Sequence, residues 1–398
     1  MRTGLVLGGG GSKGIFEMGA WQAFREIGIT FDMIVGTSIG SINAGFMAAD
    51  DFDGAMQMWQ QLQLDQCLAF SENQALKSAD LLSLQNANVL ARELLTQGGL
   101  DTTPLRELLG HYIKEDRVRA SRVRYGLMTA LLPRLTPMPM WIEEIPENRL
   151  IDYMMASAGF PGLQTVRIGS QKFIDGGVVD NLPISMLREA GLRRIVAVDL
   201  SASAALRSPL IDNIQITYIH DRMDLGGTFD LSPAVLERNR CLGYLDTMKA
   251  FDRLAGEYFS FSHEDHTTLR HLFGADDLRG LEQAAVAYGL DRCTIYRPDD
   301  FLHQIQGRRV AVQKEYEAKR QTLQIDHKFR AIMSGRLRVL NLLPPMKLAF
   351  LLEMGAWLKQ SDSLFNIPMN HFRHLDMAVQ AIARLDEVAK SNNFDQML

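Results

Sequence analysis

Cysteine is scarce in this chain: Cys67, Cys241 and Cys293 are the only three, an odd number at wide spacing. They offer neither a disulfide framework nor a Cys-x-x-Cys metal site, and read as reduced core thiols. Long apolar runs are missing as well. No stretch of about 18 residues is free of polar side chains, which excludes an ordinary membrane-spanning helix. The apolar run in MRTGLVLGGG reaches the glycines after four residues. That is too short for a signal-peptide core, so the cytoplasm is the expected compartment. Positive charge is not in excess either: 42 Lys and Arg face 47 Asp and Glu, a formal charge of -5. No nucleic-acid partner is expected, because phosphate-binding chains normally carry a net basic surface.

What is present is a large apolar fraction, 46% of 398 residues, enough for one large domain with an appendage or for two ordinary domains. Through the first half of the chain, short β-rich runs bounded by glycine alternate with helical patterns. This is the signature of an α/β fold with a mainly parallel central sheet and helices on its faces. Strands are predicted at Gly4–Leu7, Asp32–Val35, Arg124–Ala130, Gln171–Ile174 and Arg194–Leu200. Helices are predicted at Gly14–Glu26, Ser41–Ala49, Asp51–Leu64, Thr103–Ile113 and Pro183–Glu189. Residues 51–121 carry helical patterns without a strand and are predicted to form a cap over one side of the sheet. A strand at Ile214–Ile219, a helix at Pro233–Ala255 and a strand at Cys293–Tyr296 are expected to extend the main domain to about residue 300. Residues 301–398 read as a separate C-terminal helical appendage, basic over 308–338.

Three motifs each follow a predicted strand. The first, Gly8-Gly9-Gly10-Gly11-Ser12-Lys13-Gly14, leaves the first strand and opens a helix. Glycine lets successive backbone N–H groups face one point, and the helix N-terminus adds a positive dipole. Such a loop stabilises an anion, either a bound phosphate or the transient oxyanion of acyl transfer. The second, Gly36-Thr37-Ser38-Ile39-Gly40, has the spacing of a nucleophile elbow, where a strand turns abruptly into a helix and presents the serine Oγ at the tip. Its bland alternative is a plain strand-to-helix turn. The third, Asp175-Gly176-Gly177, puts a carboxylate at the end of a strand, on the edge where open parallel sheets hold their sites. Alone it reads more readily as a turn. Asp180 and Asn181, ahead of Pro183, read as helix caps.

Taken together, these residues resemble the patatin-like phospholipases. The resemblance rests on GGGGSKG at 8–14, IVGTSIGSINA at 34–44, Ala156-Ser157-Ala158-Gly159-Phe160-Pro161 and DGGVVDNLP at 175–183, and it covers residues 3–200. It implies a patatin-like three-layer fold and a carboxylic ester hydrolase of the EC 3.1.1 class acting on lipid acyl esters. Ser38 is then the nucleophile and Asp175 the base, with no metal or cofactor in the chemistry. The resemblance implies oxyanion donors at the amides of Gly10 and Gly11 with Gly9 nearby, and Lys13 where the family has Arg or Lys. Gly14, Gly36, Gly40, Gly176 and Gly177 are the motif glycines. The hydrolase domain is expected over residues 1–300.

Two other readings stay open at this point. A conventional Ser-His-Asp esterase would draw its third member from His220, His263, His266, His271, His303, His327, His371 or His374. A nucleotide-binding oxidoreductase would use the first glycine loop for pyrophosphate, but it needs an acidic residue near the end of the second strand, and Asp32 begins that strand. In the appendage, Arg336, Leu337, Arg338, Val339, Leu340, Leu342 and Leu343 precede Pro344-Pro345 and an apolar run to Trp357. This combination suits peripheral contact with an anionic membrane surface, or a buried helical pair.

Overall fold

The computed structural model describes residues 2–63, 67–68, 98–201, 210–211, 214–320, 349, 352–353 and 373–390. The chain forms two compact units, Met1–Phe251 and Asp252–Leu398.

Among the described residues of the first unit, nine strands make one sheet: β1 (Thr3–Leu7), β2 (Met33–Thr37), β3 (Arg124–Leu131), β4 (Thr136–Trp141), β5 (Val166–Ile168), β6 (Gln171–Asp175), β7 (Arg194–Val198), β8 (Leu210–Ile211) and β9 (Ile214–Ile219). The order is β5-β6-β3-β2-β1-β7-β9-β8, with β4 also paired to β3. Strands β3, β2, β1, β7 and β9 are parallel to their neighbours in that run. Antiparallel strands flank them: β4 and β6 on β3, β5 on β6, and β8 on β9. The mixed α/β fold with a mainly parallel sheet is thus the one expected. Strand β4 escaped prediction because it contains Pro137 and Pro139. Proline is tolerated there because, among the described residues, β4 pairs with β3 alone and needs no donors on its outer side.

Side chains alternate across the sheet. Val6, Val35, Ile195 and Ala197 join Met186 and Leu187 of the helix Ile184–Glu189 in the core on one face. The first α-helices of the chain are α1 (Ile15–Ile27), α2 (Ile39–Ala48) and α3 (Phe52–Gln61). Gly28 ends α1 in a left-handed conformation at φ 72, a common helix stop. Every residue of α2 is buried. Asp51 caps α3 by accepting from Gly54 N at 3.2 Å. Asn43 ties the three helices together. Its Nδ2 donates to Gly14 O at 3.0 Å and to Glu17 Oε2 at 2.7 Å, while its Oδ1 accepts from Trp59 Nε1 at 3.1 Å. Burial pushes the Glu17 carboxyl well above the usual carboxylate range. Of the predicted cap, the described part holds α3 and the helices Thr103–Tyr112 and Glu115–Ala120; residues 64–66 and 69–97 lie outside the described set.

The second unit begins earlier than the expected boundary at residue 300, because residues from Phe259 onward build a core of their own. Strands β10 (Ser260–Phe261) and β11 (Ile295–Tyr296) pair with each other in a two-stranded sheet of their own. Phe259, Phe261, Tyr296 and Phe301 pack ring against ring. Arg309 Nε donates to Glu353 Oε1 at 3.0 Å, a buried ion pair within this unit. Residues 321–348 and 354–372 lie outside the described set, and with them the basic and apolar stretch from Arg336 to Trp357. No described helix is long and apolar enough to cross a membrane.

Candidate active site

The register of β3 brings two of the motifs together. Strand β2 runs parallel to β3 and ends with Thr37 opposite Met128. Strand β6 runs antiparallel to β3 and ends with Asp175 opposite Thr129. On its other edge β3 carries β4 over Gly126–Leu131, so β2 and β6 must share one edge, end to end. Their C-termini therefore meet at adjacent residues of β3. Asp175 does not arrive on a parallel strand, as the sequence suggested; it comes head-on from the opposite direction, toward Ser38.

Ser38 occupies a strained backbone conformation, φ 55 and ψ -128, which a non-glycine residue keeps only when its surroundings hold it there. The turn is tight enough to dictate its flanks. A Cβ at Gly36 would lie 2.2 Å from Gly40 O, and one at Gly40 would lie 2.5 Å from Leu7 O. Thr37 Oγ1 donates to Asp180 O at 3.0 Å, Ser41 Oγ to Ser38 O at 2.6 Å, and Ser38 N to Ser157 Oγ at 2.9 Å. The elbow is thus tied to the loop after β6, to its own helix and to the helix Leu150–Ser157.

Asp175 is 3% exposed. Its N–H donates to Gly159 O at 2.9 Å, and its Oδ1 accepts from Gly177 N at 2.7 Å. Burial pushes the carboxyl up to about 6, against the opposing pull of the Gly177 amide and the Ser38 hydroxyl. Oδ2 is buried without a partner of full hydrogen-bond geometry. The hydroxyl is close enough to favour the carboxylate but not tightly bonded to it, as is common before substrate closes a site.

In the glycine loop, Gly8 N donates to Val198 O at 3.1 Å, Gly9 N to Asn181 O at 3.2 Å, Ser12 N to Thr228 O at 2.8 Å and Lys13 N to Gly10 O at 3.3 Å. Among the described residues, only the amides of Gly10 and Gly11 in this run have no protein acceptor, and both residues line the cavity with Ser38. The amides of Gly9 and Lys13 are already engaged, and Lys13 Nζ pairs with Asp224 at 3.0 Å. Asn181 is not a helix cap. Its Nδ2 donates to Gly9 O at 3.0 Å, which with the Gly9 amide makes a two-bond clip between the Asp175 loop and the glycine loop. Asp180 is not the cap either: Pro183 stands at the N-cap of the helix Ile184–Glu189 without a side-chain cap bond, and Asp180 instead closes the turn before it, accepting from Leu182 N and Ser185 Oγ, each at 3.2 Å. Asp32, needed for a ribose in the nucleotide reading, accepts from Thr3 N at 2.7 Å at the opposite end of β1 and β2.

Ser38, Asp175 and the loop line a cavity of about 420 Å³, a size usual for small-molecule sites. Its apolar wall comes from Ile42 of α2, from Met58, Leu62, Leu105 and Leu109 of the predicted cap, and from Phe160 and Leu163. No described histidine lines it; His327, His371 and the side chain of His374 lie outside the described set. Sequence reasoning quoted Ser157 in a motif without giving it a task, and passed over Thr129. Thr129 Oγ1 lies 2.9 Å from Ala156 O and 3.0 Å from Ile174 O, within reach of both segments that carry site residues. A buried threonine in a strand gives no local signal of such a role.

Residues 5–188 match the family model described as patatin-like phospholipase. Lysophospholipase NTE1 of Debaryomyces hansenii is 28% identical over 212 residues, covering 50% of this chain and 12% of that protein. Lysophospholipase NTE1 of Scheffersomyces stipitis is 31% identical over 211 residues, covering 52% of this chain and 12% of that protein. The matched region is thus a small part of the curated relatives' own length. Among solved structures, VipD from Legionella pneumophila aligns with a TM-score of 0.43 at 14% identity, over 96% of this chain and 90% of that one. The stretch that matches the patatin-like phospholipase family model is therefore the one that holds Ser38, Asp175 and the glycine loop.

Proposed function

We propose that this chain is a lipid acyl hydrolase that cleaves carboxylic esters through a Ser38–Asp175 dyad and an acyl-serine intermediate. The observation that carries this reading is the meeting of a strained serine, a buried carboxylate and two uncommitted glycine amides in one largely apolar cavity. A serine hydroxyl is a weak nucleophile and needs a base that takes its proton as the new bond forms. A carboxylate held at about 6 accepts that proton more readily than an ordinary one. Ser38 Oγ attacks the acyl carbon, its proton passes to Asp175, and the carbonyl oxygen becomes an oxyanion facing the amides of Gly10 and Gly11. Collapse expels the alcohol, which leaves with the proton from Asp175. Water then attacks the acyl-serine, gives its proton to Asp175, and the fatty acid departs as Ser38 recovers its proton. The named activity of the matched relatives makes lysophospholipids and phospholipids the first substrates to try.

The test is incubation of the purified chain with mixed glycerophospholipid vesicles, with released fatty acid as readout and a fluorophosphonate probe to mark the nucleophile. Fatty acid release with labelling confined to Ser38 is expected. Micromolar binding of a dinucleotide without ester turnover would overturn the reading.

The acid limb of kcat/KM should follow Asp175. Its carboxyl must be ionised to act as base, so the rate is expected to fall about tenfold per pH unit below about 6, controlled by one ionisation. A limb near pH 7 that disappears in a His→Ala variant would replace the dyad by a triad.

Gly11 provides a second check. It sits at φ 58, and a Cβ there would lie 2.3 Å from Thr228 O, a backbone atom that cannot rotate aside. Gly10 is more forgiving: its φ is not in the left-handed region, and a Cβ there would meet side-chain atoms, Leu200 first at 2.9 Å, rather than backbone. Gly11→Ala should therefore displace the loop and lower kcat by about a hundredfold, comparable with loss of one oxyanion donor. Unchanged kcat in the folded variant would remove this loop from the chemistry.

A further inference from the structure

Ser157 is fully buried at the end of the helix Leu150–Ser157. Its hydroxyl has a single proton, which it donates to Met128 O at 2.7 Å, so a lone pair is left to accept from Ser38 N at 2.9 Å. Both partners belong to the place where the site is assembled. Met128 is the residue of β3 opposite Thr37, directly before Thr129, which stands opposite Asp175. The chain just after Asp175 also crowds this carbonyl, since a Cβ at Gly176 would lie 2.2 Å from Met128 O. One hydroxyl thus bridges the strained Ser38 backbone to the point on the sheet where the carboxylate arrives.

We infer that Ser157 is a positioning residue: it pins Ser38 to Met128 and so sets the separation between the Ser38 hydroxyl and the Asp175 carboxylate. The inference rests on the Ser38–Asp175 reading above. It has a second consequence. With its N–H held by Ser157, Ser38 contributes no amide to the oxyanion, and stabilisation of that charge falls to Gly10 and Gly11.

The hydroxyl can be removed in two ways. Ser157→Ala deletes it, and Ser157→Val compared with Ser157→Thr deletes it at nearly constant shape, which cancels the strain of the added methyl groups. Three quantities are read on the full chain: kcat per fluorophosphonate-titrated site, the rate constant for labelling Ser38, and KM. Positioning predicts that Ser157→Ala lowers kcat per site and the labelling rate together by about tenfold to a hundredfold, with KM within about twofold, because small misplacements of reacting groups have effects of that order. Ser157→Thr should exceed Ser157→Val by a similar factor. A merely structural role predicts a lower melting temperature and fewer titratable sites, with kcat per site unchanged; that result overturns the inference. If Ser157→Ala does not fold, equal kcat per site in the Thr and Val variants overturns it instead. Ser38→Ala, run alongside, separates the two levels. Retained turnover there removes the underlying dyad, whereas loss of turnover there with unaffected Ser157 variants removes only the role given to Ser157.

Discussion

Asp175→Asn is expected to abolish ester turnover and, at the same time, to make the protein more stable at neutral pH. The two effects share one cause. Burial raises the carboxyl from its ordinary value of 3.8 to about 6, so between those values the folded state binds more protons than the unfolded chain. Stability therefore falls as pH rises through that window, and above about 6 the penalty is constant, on the order of 3 kcal/mol at most. Asparagine keeps an oxygen to accept from Gly177 N but carries no charge to desolvate. A melting temperature about 2–6 °C above the parent is expected at pH 8, from roughly 1–2 kcal/mol in a domain of this size. The difference should vanish near pH 4, where the parent carboxyl is itself neutral. Turnover should drop by about 10²- to 10⁴-fold or more, since the amide cannot accept the serine proton. A variant less stable than the parent at pH 8 would contradict the buried-charge account, and near-normal turnover would contradict the base assignment.

Ser38→Ala and Ser38→Gly should both lose turnover, by about 10⁴-fold or more as for other removed nucleophiles, together with all fluorophosphonate labelling. They should part company in stability. At φ 55 and ψ -128 an alanine keeps the backbone strain of the serine, whereas glycine relieves it. The relief, on the order of 1–3 kcal/mol, is partly offset by the greater freedom of glycine in the unfolded chain. Ser38→Gly is thus expected to melt above Ser38→Ala, by about 1 kcal/mol in unfolding free energy, measured by urea titration. Equal stabilities would mean that the elbow is not strained; turnover within a hundredfold of the parent in either variant would mean that Ser38 is not the nucleophile.

Local sequence carried much of the fold. Short apolar runs, followed by glycine in β1 and β2 and by Leu132-Pro133 in β3, marked these strands with ends displaced by no more than two residues, because strand period and turn chemistry are properties of neighbouring residues. The GxSxG spacing was legible partly for the same reason: Gly36 is needed by its contact with Gly40 within one turn, whereas Gly40 is needed by the approach of Leu7 from the neighbouring strand β1. The boundary near residue 300 failed where local pattern had no purchase. The division at Phe251 depends on which aromatic rings find one another, and Phe259 packs on Phe301 across the intervening helices.

The sequence by itself determined the chemical inventory of the site: a serine at a tight turn, a carboxylate at a strand end, and a loop rich in free-facing amides. Tertiary structure alone decided how these parts meet. Strands β2 and β6 end face to face because of their register on β3, and no residue within either strand encodes that register. The same holds for the committed amide of Gly9, whose acceptor Asn181 is 172 residues away, and for Ser157, whose bond to Ser38 spans 119 residues. Hydrogen-bond partners at such separations are set by how the sheet is ordered and how helices lie on it, after the local elements have formed.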